Sequence, residues 1–348
     1  MSPYILTALL FSIGLGTSMT LTSSHWFLAW MGLEINTLAI IPLMARHHHP
    51  RAVEATIKYF LVQATAASMI LFASTMNAWN TGQWDIYQMT APLPTAAITL
   101  ALALKMGLAP LHSWFPEVMQ GLDLTTGLLL ATLQKLAPFA LMLQLQNTQP
   151  TLMILLGISS TIVGGWGGLN QTQVRKILAY SSIAHLGWMI LVMQFSPHIS
   201  VMTLLTYYIM TGAIFLIFKH NKAANINALA TSSTTNMALS ALVPLTLLSL
   251  AGLPPLTGFA PKWIILQEMT KQDLPAIATI AALSALLSLY FYLRLSYAMT
   301  LTISPKNTPN TIKWRLETTS HTTMLAILTM STLLLLPLMP TALALLTP

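Results

Sequence analysis

Eleven stretches of this chain stay apolar long enough to cross a bilayer as a helix, about 20 residues each, and no other feature limits its fold so tightly. They run near 3–21, 25–45, 56–78, 92–119, 124–145, 151–170, 174–195, 199–219, 237–270, 275–301 and 322–345. The expected fold class is an all-α polytopic membrane protein of eleven transmembrane helices. The polar stretches 79–91, 220–236 and 302–321 read as loops, too short to hold a soluble catalytic module.

Composition agrees. Only 7% of the 348 residues are charged and 55% are apolar, whereas a soluble domain carries about 25% charged residues. Such a chain cannot cover a water-facing surface. A net charge of +7 would suggest nucleic acid in a soluble protein; here the positions of the basic residues explain it better. With residue 1 on the inner side, Arg46, Arg51, Arg175, Lys176, Lys219, Lys222, Lys306, Lys313 and Arg315 fall in or beside inner loops. The outer loops hold Lys271 with Asp85 and Asp273. Basic loops mark the inner side of a membrane protein, so the asymmetry supports the orientation and also the helix count, since one missed helix would scramble it. No Lys or Arg precedes the first apolar run, which reads as the first membrane helix rather than a cleaved signal. The chain has no cysteine, which excludes disulfides, thiolate metal sites and a cysteine nucleophile.

A ten-residue motif, Gly-Leu-x-Pro-Leu-x-x-x-x-Pro, occurs twice, 145 residues apart: Gly107–Pro116 and Gly252–Pro261. Each copy lies within a long apolar run. Prolines remove helix hydrogen bonds and clash with the preceding turn, so both runs should be broken helices. The breaks are fourth and ninth in order, which divides the chain into five-helix units at 1–147 and 148–301. An odd number of crossings per unit makes the second enter from the opposite side, an inverted repeat with its ion site at the broken helices. Residues 302–348 add a polar loop and an eleventh helix.

Four charges sit away from loops and helix ends: Glu34, Lys105 and Lys262 at the two breaks, and Lys135. Each costs about 2.5–3.5 kcal/mol at the bilayer centre on insertion scales. An ammonium in an apolar setting holds its proton less tightly, and a nearby carboxylate tightens it again. Glu34 with Lys105 suits such a pair, and Lys135 and Lys262 suit further stations on a proton path. Structural ion pairs are the competing account, but three lysines against one glutamate leave charge unmatched. His112 in the first break and His185 mid-helix are candidate relays, against a packing role as hydrogen-bonding residues. Ser181, Ser182 and Thr257 are weaker candidates for holding water.

Other features have simpler accounts. Three adjacent histidines, His47-His48-His49, cannot all face one ion from a loop. Gly164-Gly165-Trp166-Gly167-Gly168 lacks the Lys-Ser/Thr ending and the strand of a phosphate loop, and suits close helix packing. Glu54 and Lys58 are spaced as a surface pair, Arg294 can snorkel, and Trp26, Trp30, Trp79 and Trp84 suit an outer aromatic belt.

The runs Trp30–Asn36, Lys105–Glu117, Tyr180–His185 and Gly252–Phe259, with Lys135 and Lys262, resemble the antiporter-like membrane subunits of respiratory complex I. The animal mitochondrial branch, which lacks three N-terminal helices present in bacterial relatives, is the nearest in pattern. The resemblance spans the chain and implies one module of a large inner-membrane complex, with Glu34 paired to Lys105, Lys135 central, and Lys262 toward the exit. It implies other membrane-arm subunits and inner-membrane lipids as partners, and no nucleic acid. It also implies no cofactor in this chain, with NADH, FMN, iron–sulfur clusters and ubiquinone held by other subunits. A stand-alone cation/proton antiporter would be expected to need acidic oxygen ligands at midplane, where Glu34 is alone. A purely structural subunit is the third reading.

Overall fold

The computed structural model describes residues 2–45, 49–89, 91–145, 150–221, 223–231, 237–301 and 322–346. Of the sequence expectations, those on Arg46, His47, His48, Lys222, Lys306, Lys313, Arg315 and the 302–321 loop lie outside these residues. The described chain is almost wholly helical, with two isolated β-bridges, His25 to Asp85 and Gln173 to Asn225. It separates into two compact units, residues 1–160 and 161–348.

The first unit begins with α1 (Pro3–Thr22), α2 (Trp26–Met44) and α3 (Pro50–Thr81). Prolines at the first positions of α1 and α3 have no N–H to waste there, and the His49 ring caps α3 by accepting from the Arg51 N–H at 3.3 Å. Gly16 of α1 and Gly32 of α2 bring their backbones together, since a Cβ on either would strike the other's carbonyl. That contact fixes the helix that carries Glu34 and Asn36. The fourth apolar run is α4 (Pro92–Met106) and α5 (Trp114–Gly121), and α7 packs on α1, α2 and α4.

The fifth run, expected as one helix, is α6 (Leu124–Ala131) and α7 (Leu133–Gln144). Thr132 interrupts it at φ −115°, ψ −77°, its hydroxyl bonding back to the Leu128 carbonyl at 2.8 Å. Such back-bonding bends helices. The helix α8 (Pro150–Gly167) follows.

In the second unit α9 (Val174–Met193) and α10 (Pro197–His220) form the centre, with 83% and 72% of their most apolar windows buried. Around them stand α12 (Met237–Ala251), α13 (Phe259–Lys271), α14 (Pro275–Thr300), α15 (Thr323–Leu334) and α16 (Met339–Leu346). The last two form a span bent by 68°. A six-residue helix, α11 (Ile226–Thr231), lies in the stretch expected to be loop; it packs on α14. Gly164, Gly165, Gly167 and Gly168 sit against Ala184, Leu287, Tyr180 and Phe291, leaving no room for a Cβ. Among the described residues eight helices are long and apolar enough to cross a membrane, nine with the bent pair.

Two surface expectations change. Trp26 is fully buried, with its backbone N–H on the Trp84 carbonyl at 3.1 Å, so it belongs to the core and not to an aromatic belt. Arg294 turns inward and donates to the Leu169 carbonyl at 2.8 Å, past the end of α8.

Candidate functional site

Both copies of the ten-residue motif stop and restart a helix in the same way, and glycine rather than proline makes the stop. Gly107 follows α4 at φ +76° and Gly252 follows α12 at φ +82°, a left-handed conformation that suits a residue without Cβ. The next amide reaches back across the helix end: Leu108 N–H to Ala103 O at 2.9 Å, Leu253 N–H to Leu248 O at 3.3 Å. This is the glycine-terminated helix ending, which satisfies carbonyls that would otherwise be orphaned. The closing prolines Pro116 and Pro261 are each the third residue of the second half-helix, where the missing N–H costs nothing. Pro42, Pro138 and Pro244 lie inside helices without ending them.

The carbonyls freed at the first break are taken up by protein side chains, as hydrocarbon requires. Trp114 Nε1 donates to Leu104 O at 3.1 Å, Gln63 Nε2 to Lys105 O at 3.4 Å, and Ser159 Oγ to Ala109 O at 2.9 Å.

Beside this break Lys105 of α4 and Lys135 of α7 line one cavity. Its space for a water centre is about 10 Å³, close to what a single water needs. Asn36, Tyr59, Gln63 and Gln134 contribute the other polar groups. Lys105 and Lys135 are 6% and 2% exposed, deep enough that every charge state matters energetically. The Lys135 ammonium sits 4.4 Å above the Phe115 ring, whose electron-rich face favours a cation. Among the described residues Lys105 Nζ and both side-chain polar atoms of Asn36 have no hydrogen-bond partner.

Glu34 does not line this cavity. Its carboxylate accepts from the Thr37 hydroxyl at 3.0 Å and acts on Lys105 electrostatically, without a direct ion pair between them. His112 also lies outside the lining, with Nδ1 3.3 Å from the Pro110 carbonyl. Glu54 pairs with Lys58 at 2.8 Å as the spacing suggests, and Lys58 reaches Glu117 at 2.8 Å as well.

In the second unit His185 of α9 and Lys262 of α13 line a cavity of about 20 Å³ for water centres, with Trp188, Thr203 and Thr206. Lys262 Nζ donates to the Ala251 carbonyl at 2.8 Å and lies 6.0 Å from the Trp188 ring. His185 packs its ring 5.6 Å from Tyr207, which is in hydrogen-bond contact with Ser182. Ser181 and Ser182 are fully buried, and each donates to its own helix at 2.8 and 2.7 Å. Thr257 is bonded across the second break.

Sequence reasoning did not single out Tyr59, Gln63, Gln134, Trp188 or Tyr207. Gln63 and Gln134 carried a usable signal, since an amide inside an apolar span is uncommon and faces the protein interior. The aromatic residues carried none, because in an apolar run they read as filler.

Residues 23–288 match the family described as NADH:quinone oxidoreductase/Mrp antiporter, TM, and residues 289–343 match NADH dehydrogenase subunit 2 C-terminus. NADH-ubiquinone oxidoreductase chain 2 of Tetraodon nigroviridis is 69% identical over 340 residues, 98% of each chain. That of Carassius auratus is 64% identical over 348 residues, 100% of each. Among solved structures, a chain of respiratory complex I from Thermus thermophilus with bound aureothin aligns with TM-score 0.84 at 27% identity, covering 97% of this chain and 80% of that one. A chain of the Mrp complex from a Dietzia species shares the fold, at TM-score 0.81 and 17% identity, over 97% of this chain and 77% of its own. On the match over three-quarters of its length and the near-complete overlap with these relatives, the chain belongs to the NADH:quinone oxidoreductase/Mrp antiporter membrane family.

Proposed function

We propose that this chain is a core membrane subunit of proton-pumping NADH:ubiquinone oxidoreductase and that it carries protons across the mitochondrial inner membrane. Full-length similarity to chain 2 of fish enzymes supports membership of the complex. The pairing of Lys105 and Lys135 on one water-sized cavity carries the proton reading. Two ammonium groups sharing a space for about one water disfavour each other's charge, so a proton arriving at one favours loss from the other.

In this reading Glu34 adjusts Lys105 from outside the cavity, and Lys262 with His185 serves the second unit. His112 is a candidate contact with water at the first break. The two broken runs complete a count of eleven crossings in two inverted five-helix units, 1–147 and 148–301, with the N-terminus in the matrix. Other membrane-arm subunits and inner-membrane lipids are its partners, and it binds no nucleic acid. NADH, FMN, iron–sulfur clusters and ubiquinone belong to other subunits, so the chain's work is electrical. Each proton moved costs about 2.3 kcal/mol per 100 mV.

Lys105→Met and Lys135→Met in the assembled enzyme test this. Each should leave assembly intact and lower the protons moved per NADH oxidised. Normal transport from a normally assembled variant would sink the proton role and leave these lysines as packing residues.

A further inference from the structure

At the second break a hydroxyl cluster joins the end of α12 and the link after it to α15, 75 residues beyond Thr257. Thr257, in the link between α12 and α13, donates to the Thr332 carbonyl of α15 at 2.7 Å. Ser249, in the last turn of α12, lies 3.0 Å from the same carbonyl and 3.1 Å from Thr257 Oγ1. Its single hydrogen is therefore shared between the two. All three residues are at most 2% exposed.

The bend explains why that carbonyl is available. α15 stops at Leu334 with Leu335 as its cap, so from Thr332 on the carbonyls have no partner in the helix. Ser331, one step earlier, still receives the Leu335 N–H at 3.1 Å. Were α15 to run straight on, its own next turn would occupy Thr332 O and displace the hydroxyls.

The cluster closes the link back on α12. Gly258 packs so tightly on the Ser249 carbonyl that no Cβ fits there. Four residues beyond it, Lys262 folds over Gly252 and seats its ammonium on Ala251 O at 2.8 Å. The carbonyl that holds Lys262 is thus two residues from Ser249 in the same helix end.

We infer that Ser249 and Thr257 are positioning residues for Lys262, and that the bent C-terminal helix, through Thr332 O, is the clamp that holds the second break in its lysine-seating form. The proton part of this inference rests on Lys262 carrying protons as proposed above.

The test uses the assembled enzyme in vesicles. Ser249→Ala combined with Thr257→Val should assemble, and should raise amide exchange through residues 252–257 roughly fivefold or more. It should also lower protons moved per NADH oxidised to the level of Lys262→Met, and Thr257→Ser should restore both readings. In a Lys262→Met background the two changes should still raise exchange while lowering transport no further. Unchanged exchange overturns the clamp whatever happens to transport. Raised exchange with full transport, or an added loss in the Lys262→Met background, overturns the positioning role. If Lys262→Met alone transports normally, the proton role of Lys262 falls with the positioning, and exchange still reads the clamp. Should the double variant fail to assemble, Ser249→Ala and Thr257→Val singly carry the same comparison.

Discussion

At Trp114 one indole N–H adds a second donor, at 3.1 Å, to the Leu104 carbonyl at the end of α4, which also accepts from the Gly107 N–H at 3.2 Å. Trp114→Phe leaves an aromatic ring beside Tyr59 and Phe115 and removes the pyrrole half of the indole together with its donor. The expected cost is about 0.5–1.5 kcal/mol for the lost hydrogen bond, since the Gly107 N–H still satisfies the carbonyl, with the lost packing volume adding to it. A thermal melt of the assembled enzyme in detergent should show a lowered midpoint with proton transport reduced far less than by Lys135→Met. At this scale legibility follows contrast. Lys105, Lys135 and Lys262 stand out because a charge in an apolar run is costly wherever it lies. Trp114 and Phe115 do as much to shape the cavity, yet nothing about an aromatic residue in a hydrophobic stretch says whether it faces lipid, core or a cation. Trp26 was misread for that reason: amphipathic rings suit a membrane edge, and only tertiary packing shows that this one is buried.

A helix is stopped by backbone geometry before side chains matter, and the two glycines of the second break separate the causes. Gly252→Ala should cost roughly 1–2 kcal/mol for placing a Cβ at φ +82°, where it also presses on the flexible Lys262 side chain and lies 3.2 Å from the Gly258 carbonyl, and Gly252→Asn less, since Asn tolerates that conformation better. Gly258→Ala should be worse than either. Its φ of −66° is ordinary, but the added Cβ would run into the Ser249 carbonyl. Gly14→Ala, where nothing lies within 4 Å, is the matched control. Yields of assembled enzyme should fall from Gly14→Ala through Gly252→Asn and Gly252→Ala to Gly258→Ala, and a Gly258→Ala protein as abundant as Gly14→Ala would refute the argument. The duplicated motif made both breaks visible in the sequence but pointed to the wrong agent. Proline is the familiar helix breaker, while the signature of the glycine ending lies in a bond between residues five apart that composition cannot reveal. The interruption at Thr132 left no sequence trace, because a threonine inside a helix bends it only in some rotamers.

Across the whole molecule, burial is uneven in a way that predicts local stability. α9 has 83% of its window buried and α1 has 17%. Amides of α9 should exchange most slowly, and those of α1 should depend most on whatever covers that helix in the membrane. Exchange in α9 as fast as in α1 within the assembled enzyme would contradict this. Eleven crossings put residues near 2 and near 346 on opposite faces, and ten would put them on the same face. Protease or antibody access to epitopes at the two ends, in sealed membranes, decides between them. That the chain is an all-helical, multi-span membrane protein was readable from run length because a bilayer sets a minimum span; the fine division of those runs was not.

In sequence the two break lysines looked mismatched, Lys105 before its glycine and Lys262 after it. The seat of Lys262 on Ala251 removes much of that difference. Lys105 belongs to the last turn of α4, and Lys262 returns to the last residue of α12. Lys262 by its hydrogen bond, and Lys105 by its place in the last turn, are thus set near the end of a half-helix where aligned peptide dipoles sum to about half a negative charge. A peptide dipole cannot be protonated. The seat of Lys262 is thus a counter-charge that no pH change or passing proton can cancel, in a chain that has few carboxylates to offer instead.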